Sequence, residues 1–513
     1  MNGAEALVRT LAASDVDVCF ANPGTSEMHF VAALDRVPGV RCVLSLFEGG
    51  ATGAADGYAR MAGKPAATLT HLGTGLTNSL ANVHNASKAR TPMVNIVGDH
   101  ATHHLVHDSP LKSDVDALAR PMSQWFARAM TSAEVGPRAA DAITAARTLP
   151  GQIATLVLPA DASWSEGGVA AVAETPPIPA AVSSSTIREV AQALRKGRAL
   201  LLIGGHALKA ERIELANAIA ESTHTMILSQ GRDPRIERGA GRAPVTRLST
   251  ITNAAIETLK DIQTIILVDA KMPVANFAYP GKPSVFAPGE CAFVELASGA
   301  QDIGAALSAL ADELGVKANP SRRIARVQTS AADGNITPDK IAQSLAAYMP
   351  VNTILCDEAV TTGRPVWGAT KAAAPHDYLA LTGGAIGIGL PMAAGAAIAC
   401  PDRKVILLQA DGSSLYTIQS LWTHANENLD ILTIVLVNNA YAILRAELKN
   451  VGIDNPGANA IRMLSFDNPK ISWTDLAKGF GVPASKVASM EDFNRALQVG
   501  VRERGPRLIE VLL

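Results

Sequence analysis

The chain is poor in aromatic residues, at 4%, and in charge, at 18%; its 45 Lys and Arg against 47 Asp and Glu leave a formal charge of -2. That near balance supplies no basic footprint for nucleic acid and no single-sign surface for a charged partner. Only five cysteines occur, Cys19, Cys42, Cys291, Cys356 and Cys400, scattered and mostly set in apolar runs. An odd, dispersed set argues against a disulfide framework or a zinc site and fits reduced, buried thiols in a cytoplasmic protein. The weakly polar run 387–400 is too short and too rich in glycine to span a bilayer. The first eleven residues lack the charged-then-apolar layout of a signal peptide and read as an amphipathic helix. Neither a dinucleotide fingerprint after the central glycines nor a His-Glu-x-x-His occurs, which removes two common routes to a cofactor or metal.

What is present is length, glycine and alternation. With 513 residues, 48% hydrophobic, and 41 Gly, the chain is too long for one core and suits about three domains. Apolar strand-like runs at 16–20, 41–46, 66–70 and 93–97 alternate with helix-like segments, which predicts a parallel sheet with helices on both faces. Residues 48–60 form a helix so rich in Gly and Ala that something must pack closely along it. A Pro, Gly, Ala and Ser-rich stretch at 165–186 reads as a linker. A second unit follows with strands at 199–203, 262–268 and 292–296, its first strand ending in Gly204-Gly205-His206. A second linker covers 317–334. The expected architecture is α/β throughout, three doubly wound parallel-sheet domains at 1–164, 187–316 and 337–513.

Chemistry concentrates in residues 404–444. Two runs rich in Val, Ile and Leu, joined by a helical segment, describe a buried parallel strand-helix-strand unit. Asp411 ends the first run and Asn438, 27 residues on, ends the second. In parallel neighbours both side chains emerge at the carboxyl edge, where open α/β sheets bind ligands. A carboxylate, an amide oxygen, a nearby carbonyl and the amides of Gly412 and Ser413 suit a hard cation carrying phosphate, such as Mg²⁺. Singly, Asp411-Gly412 reads as a helix cap and Asn438-Asn439 as a turn; together they favour a metal-diphosphate site.

This stretch resembles the cofactor motif of thiamine-diphosphate enzymes, a Gly-Asp-Gly followed after a strand-helix-strand by Asn-Asn. Ala410 replaces the first glycine, a departure that matters only if the position needs a positive φ. The run from Glu48 to Arg60 and the Asn22-Pro23-Gly24 turn resemble acetolactate synthase-like and benzoylformate decarboxylase-like members. The resemblance implies Asp411, Asn438 and the carbonyl of Ala440 as metal ligands, with Asn439 the alternative to Asn438. It further implies Gly412, Ser413, Tyr441 and Thr361 around the diphosphate, the Gly384 carbonyl near the cofactor's amino group, and Ile386 as the wedge that bends the cofactor. Glu48 would hydrogen-bond the aminopyrimidine and so activate the cofactor; standing alone, it would read as a solvated helix-start residue.

Histidines are the substrate-side candidates. His71 directly follows a strand and resembles the active-site histidine of benzoylformate decarboxylase-like enzymes. Thr25, in the adjacent turn, is placed to bond a substrate carboxylate. His100, His103, His104 and His107 form a polar loop, with His104 either a substrate contact or a bystander. The implied activity is decarboxylation of a 2-oxo acid, with the product released as an aldehyde or joined to a second carbonyl; acetolactate synthase-like is the nearest label and a benzoylformate decarboxylase-like non-oxidative decarboxylase the alternative. Gly49-Gly50 departs from acetolactate synthases, where a glutamine follows the glutamate. The resemblance also implies a homodimer or homotetramer with active sites shared between chains, and neither nucleic acid nor membrane as partner. An FAD- or NAD-dependent oxidoreductase and a cofactor-binding but inactive member are the alternatives.

Overall fold

The computed structural model describes residues 1–316 and 322–513; the first five residues of the expected second linker lie outside that range. Three sheets carry three α/β units. The first is wholly parallel, in the order Arg41–Leu44, Val18–Ala21, Ala66–Thr70, Met93–Asp99, Ile153–Pro159, Trp125–Arg128. The chain passes from Val18–Ala21 to one neighbour and then crosses to the other side. The crevice between the carboxyl ends of Val18–Ala21 and Ala66–Thr70 is therefore a topological switch point, where such sheets bind ligands.

The third unit repeats the arrangement. Its strands run Ala484–Val487, Arg507–Leu512, Ile431–Val437, Val405–Ala410, Thr353–Glu358, His376–Ala380, Ile236–Arg238. The switch falls between Thr353–Glu358 and Val405–Ala410. One strand departs from the expected wholly parallel sheet: Ile236–Arg238 pairs antiparallel to His376–Ala380. It comes from the middle of the chain and covers an edge that would otherwise present unpaired backbone groups. Ile431–Val437 is buried along its whole length between neighbours on both sides, as a near-continuous β-branched and leucine run demands.

The central unit is a five-stranded parallel sheet, Thr246–Arg247, Met226–Ser229, Ala199–Ile203, Thr264–Val268, Ala292–Ala297. Its glycine pair has a local cause. Gly205 has φ +45°, a Cβ there would overlap the Asp269 carboxylate, and that carboxylate accepts from the His206 amide at 2.7 Å.

The Gly/Ala-rich helix Glu48–Ala62 meets helix Gly389–Ala399 of the third unit, and the two share one buried apolar cluster. A Cβ at Gly53 would stand 2.7 Å from Pro391, and one at Gly57 or Gly395 would overlap backbone of the facing helix. Small residues let these backbones approach, and an added methyl would force them apart. All five cysteines are free, but Cys42 is exposed on the edge strand Arg41–Leu44, contrary to the expectation of buried thiols, and Cys400 is half-buried. No helix among the described residues is long and apolar enough to cross a membrane.

Candidate active site

At the first unit's carboxyl edge, Glu48 opens its helix with 8% of its surface exposed. Asn78, one helix over, donates from Nδ2 to Glu48 Oε2 at 3.0 Å. Gly75 leaves room for the carboxylate, since a Cβ there would lie 3.0 Å from Oε1. Among the described residues Glu48 thus has a single side-chain donor, and it sits against the first turn of helix Leu72–Ala89. Gly49 is constrained as well: a Cβ would stand 2.5 Å from the Phe47 ring.

His71 caps that same helix, and its Nδ1 lies 2.8 Å from Glu27 Oε2 and 3.2 Å from Ser26 Oγ. Glu27 is buried; it also accepts from the Gly24 amide at 2.7 Å and from Ser26 Oγ at 2.5 Å. Two glycines make the cluster possible, because a Cβ at Gly24 would overlap the imidazole and one at Gly98 would overlap the Glu27 carboxylate. With Nδ1 held by a carboxylate, Nε2 is the nitrogen left to exchange a proton. Thr25, in the same turn, is exposed, while its neighbours Ser26 and Glu27 reach His71. Their functional meaning was not readable from the turn motif, since only folding brings residue 27 against residue 71.

The histidine loop follows strand Met93–Asp99. His104 is exposed, its ring 5.4 Å from that of His100 and 5.5 Å from that of His107. Ser113 of the following segment packs so tightly on Gly73 that a Cβ there would overlap it, so this region lies against the turn that carries His71. Among the described residues no group of three His, Cys, Asp or Glu side chains is disposed to hold a metal.

At the third unit's edge, Asp411 is 1% exposed. Its Oδ1 accepts from the Gly412 amide at 2.8 Å, and its Oδ2 from the amides of Asn438 at 2.8 Å and Asn439 at 2.6 Å. Burial raises its pKa from the ordinary carboxylate value, and these amides pull the other way. Among the described residues no cation pairs with it, so a buried oxygen-ligand carboxylate stands at a strand end without a counter-charge. Asn438 Oδ1 accepts from the Ala440 amide at 2.9 Å, and Asn439 adopts φ +53°. Asp411, Asn438 and the Ala440 carbonyl are hard donors of the kind Mg²⁺ takes, so the residues fit the expected ion.

Other details differ from a simple helix-start anion site. The helix Asp411–Ser414 is one turn, the Gly412 amide is already bound by Asp411, and Ser413 Oγ points to the Ala410 carbonyl at 3.1 Å while accepting from Gln409 at 2.7 Å. Ala410 has φ -76°, so replacing glycine there carries no strain. Gly412 lies under Tyr441, whose ring would be 2.7 Å from a Cβ at 412. Tyr441 in turn meets Phe466 edge-on at 5.2 Å.

Thr361 lies in the turn after Thr353–Glu358, half-buried, and Ile386 is half-buried in the loop 382–389. Gly384 has φ +81°, which explains glycine there. That loop touches the first unit: Asn85 Nδ2 donates to the Ala385 carbonyl at 2.7 Å, and Thr382 Oγ1 to the Asn85 carbonyl at 2.8 Å. Among the described residues, no hydrogen bond or ion pair joins Glu48 to Asp411 within the chain.

Two parallel-sheet edges, one presenting a lightly held glutamate and a carboxylate-backed histidine, the other a buried aspartate among oxygen donors, define a cofactor-dependent α/β enzyme. Residues 1–119 match "Thiamine pyrophosphate enzyme, N-terminal TPP binding domain" and residues 363–511 match "Thiamine pyrophosphate enzyme, C-terminal TPP binding domain". The chain belongs to the thiamine pyrophosphate enzyme family. It is 48% identical over 519 residues to "Putative acetolactate synthase large subunit IlvX" of Mycobacterium tuberculosis, covering 100% of this chain and 99% of that protein. It is 28% identical to benzoylformate decarboxylase of Pseudomonas aeruginosa, covering 96% and 95%. The thiamine diphosphate-dependent 4-hydroxybenzoylformate decarboxylase of Rhodococcus jostii RHA1 superposes with a TM-score of 0.82 at 24% identity, over 100% and 99% of the two chains. Benzoylformate decarboxylase of Polynucleobacter necessarius gives 0.83 at 20%, with the same coverage, a likeness of fold. A flavin or nicotinamide oxidoreductase is not favoured by these matches.

Proposed function

We propose that this chain is a thiamine-diphosphate- and Mg²⁺-dependent decarboxylase of a 2-oxo acid. In this reading residues 1–164 bind the pyrimidine, 337–513 the diphosphate and metal, and 187–316 lie between them in sequence. The observation that carries it is the pairing of the buried, uncompensated Asp411 beside Asn438 with Glu48 at a second sheet edge. When bound, thiamine diphosphate would supply a nucleophilic thiazolium carbon and, in its cationic ring, an electron sink for decarboxylation. Asp411, Asn438 and the Ala440 carbonyl would hold the metal, with Gly412, Ser413, Thr361 and Tyr441 about the diphosphate. The Gly384 carbonyl and the Ile386 side chain would contact the cofactor, the latter as a wedge, and Glu48 would hold and return a proton at the pyrimidine.

His71, its Nδ1 tied to Glu27, delivers or removes the substrate-side proton at Nε2. Thr25 and His104 flank the substrate. A second reading, joining of the decarboxylated fragment to another carbonyl, is favoured by the name of the 48% identical relative. Gly49 supports the simpler ending, because Phe47 fills the space a larger residue after Glu48 would need. Incubation with aliphatic and aromatic 2-oxo acids, with and without an acceptor aldehyde, separates the two by product. Free aldehyde supports the decarboxylase, a 2-hydroxyketone the carboligase, and consumption of none of the acids overturns both.

A further inference from the structure

The loop 382–389 carries Gly384 and Ile386 and has little side chain of its own with which to hold a shape. Gly384 and Gly387 have φ +81° and +100°, and free glycines lose the most entropy on being fixed. Something outside the loop must fix it. Beneath it lies Glu358, the last residue of strand Thr353–Glu358 and only 1% exposed. Glu358 Oε1 accepts from the amides of Gly387 at 2.7 Å and Ile388 at 3.2 Å; Oε2 accepts from the Gly389 amide at 2.7 Å and Gln409 Nε2 at 2.9 Å. Three consecutive amides around an anion form a backbone nest. Gln409 lies two residues before Asp411 and also bonds Ser413 at 2.7 Å, so the same carboxylate ties the loop to the strand end that bears Asp411.

The other end of the loop is held by the first unit, through Asn85 on Ala385 and His84 Nε2 at 3.2 Å from the Gly383 carbonyl. Gly384 thus lies between two residues held by the first unit, and Ile386 between Ala385 and the amides that Glu358 holds. A buried carboxylate is an expensive anchor: burial pushes Glu358 up to about 7 against the four donors, and apolar packing would stabilise the fold at less cost. What an anion offers is geometry, since it alone accepts four N–H bonds with no donor of its own.

We propose that Glu358 is a positioning residue, whose carboxylate sets the Gly384 carbonyl and the Ile386 side chain in register with Asp411. This rests on the cofactor reading above. Glu358→Gln keeps the volume but turns one oxygen into an NH₂ group that opposes two of the four donors. Hydrogen exchange should then accelerate at the amides of 387–389 by about tenfold or more. At saturating cofactor and Mg²⁺, kcat should fall by about tenfold or more, while KM and thiamine diphosphate affinity stay within about threefold. A merely structural role would move affinity, melting temperature and kcat together; that pattern, or wild-type loop exchange, or wild-type kcat, overturns the proposal. Should Glu358→Gln not fold, Gln409→Met removes one donor and should give the same split at about threefold amplitude; unaltered exchange and kcat there overturn it equally. If the wild-type protein binds no thiamine diphosphate in the same titration, the cofactor reading has failed instead.

Discussion

The two sheet edges carry carboxylates of opposite construction. Glu48 has one side-chain donor, Asn78, and an oxygen left facing the space over Gly75. Asp411 is gripped by three backbone amides. Backbone donors cannot be rotated away, so Asp411 suits a fixed charge that holds a cation. A lightly held carboxylate suits a group whose proton comes and goes. On the proposed function, the two edges would divide anchoring from activation, which makes them separable by mutation.

The largest effect belongs to the anchor. Asp411→Ala should weaken thiamine diphosphate binding by about a hundredfold or more and abolish its dependence on Mg²⁺ in calorimetry. Metal-dependent binding of unchanged strength would erase the contrast between the edges. Glu48→Gln tests the other half. Binding should stay within about tenfold, roughly 1.4 kcal/mol, while exchange of the cofactor's thiazolium C2 proton, followed by NMR, slows by at least about a hundredfold. A variant exchanging at the wild-type rate would make Glu48 an ordinary helix-start residue.

A smaller effect sharpens where the edges meet. If the first edge of one chain serves the third edge of another in a two-fold dimer, inactive Glu48→Ala and Asp411→Ala chains complement. Random mixing makes half the dimers mixed, each with one intact site, so activity returns to roughly a quarter of wild type. Mixed dimers seen by native mass spectrometry without activity would mean that both residues serve one cofactor within one chain.

The smallest effect concerns acid stability beneath the third edge. His424 is buried, its Nε2 2.9 Å from the Leu390 carbonyl at the helix that meets Glu48–Ala62, and burial lowers its pKa to about 4. The unfolded chain, titrating near the usual 6.5, binds the proton first as pH falls. His424 therefore contributes stability above that value that is lost between about 6.5 and about 4. Urea denaturation at several pH values should show the wild type losing stability relative to His424→Gln across this window; parallel curves would contradict it.

Much of this was legible before folding. Alternating apolar runs placed Asp411 and Asn438 at the ends of neighbouring parallel strands, as the structure has them, because a buried parallel strand must be apolar within; Glu48 and His71 were singled out by resemblance to family motifs. The Gly and Ala of residues 48–60 announced a close neighbour without naming helix Gly389–Ala399. Illegible were residues whose meaning depends on distant partners. Glu27 reads as a helix-start acid until Gly98 opens the space that sets it under His71, and Glu358 reads as a strand end until three amides from 387–389 converge on it. Strand Ile236–Arg238 has no periodic signal because it is three residues long and completes a sheet belonging to another unit.

Local sequence thus determined most of the elements and placed polar residues at the carboxyl ends of the first and third units' strands, since strand hydrophobicity, turn residues and glycine positions act over a few residues. Tertiary structure alone decided which carboxylate is clamped and which is lightly held. Those properties depend on donors supplied from other strands and helices, and no local pattern encodes the distance between residues 358 and 387 or 27 and 71.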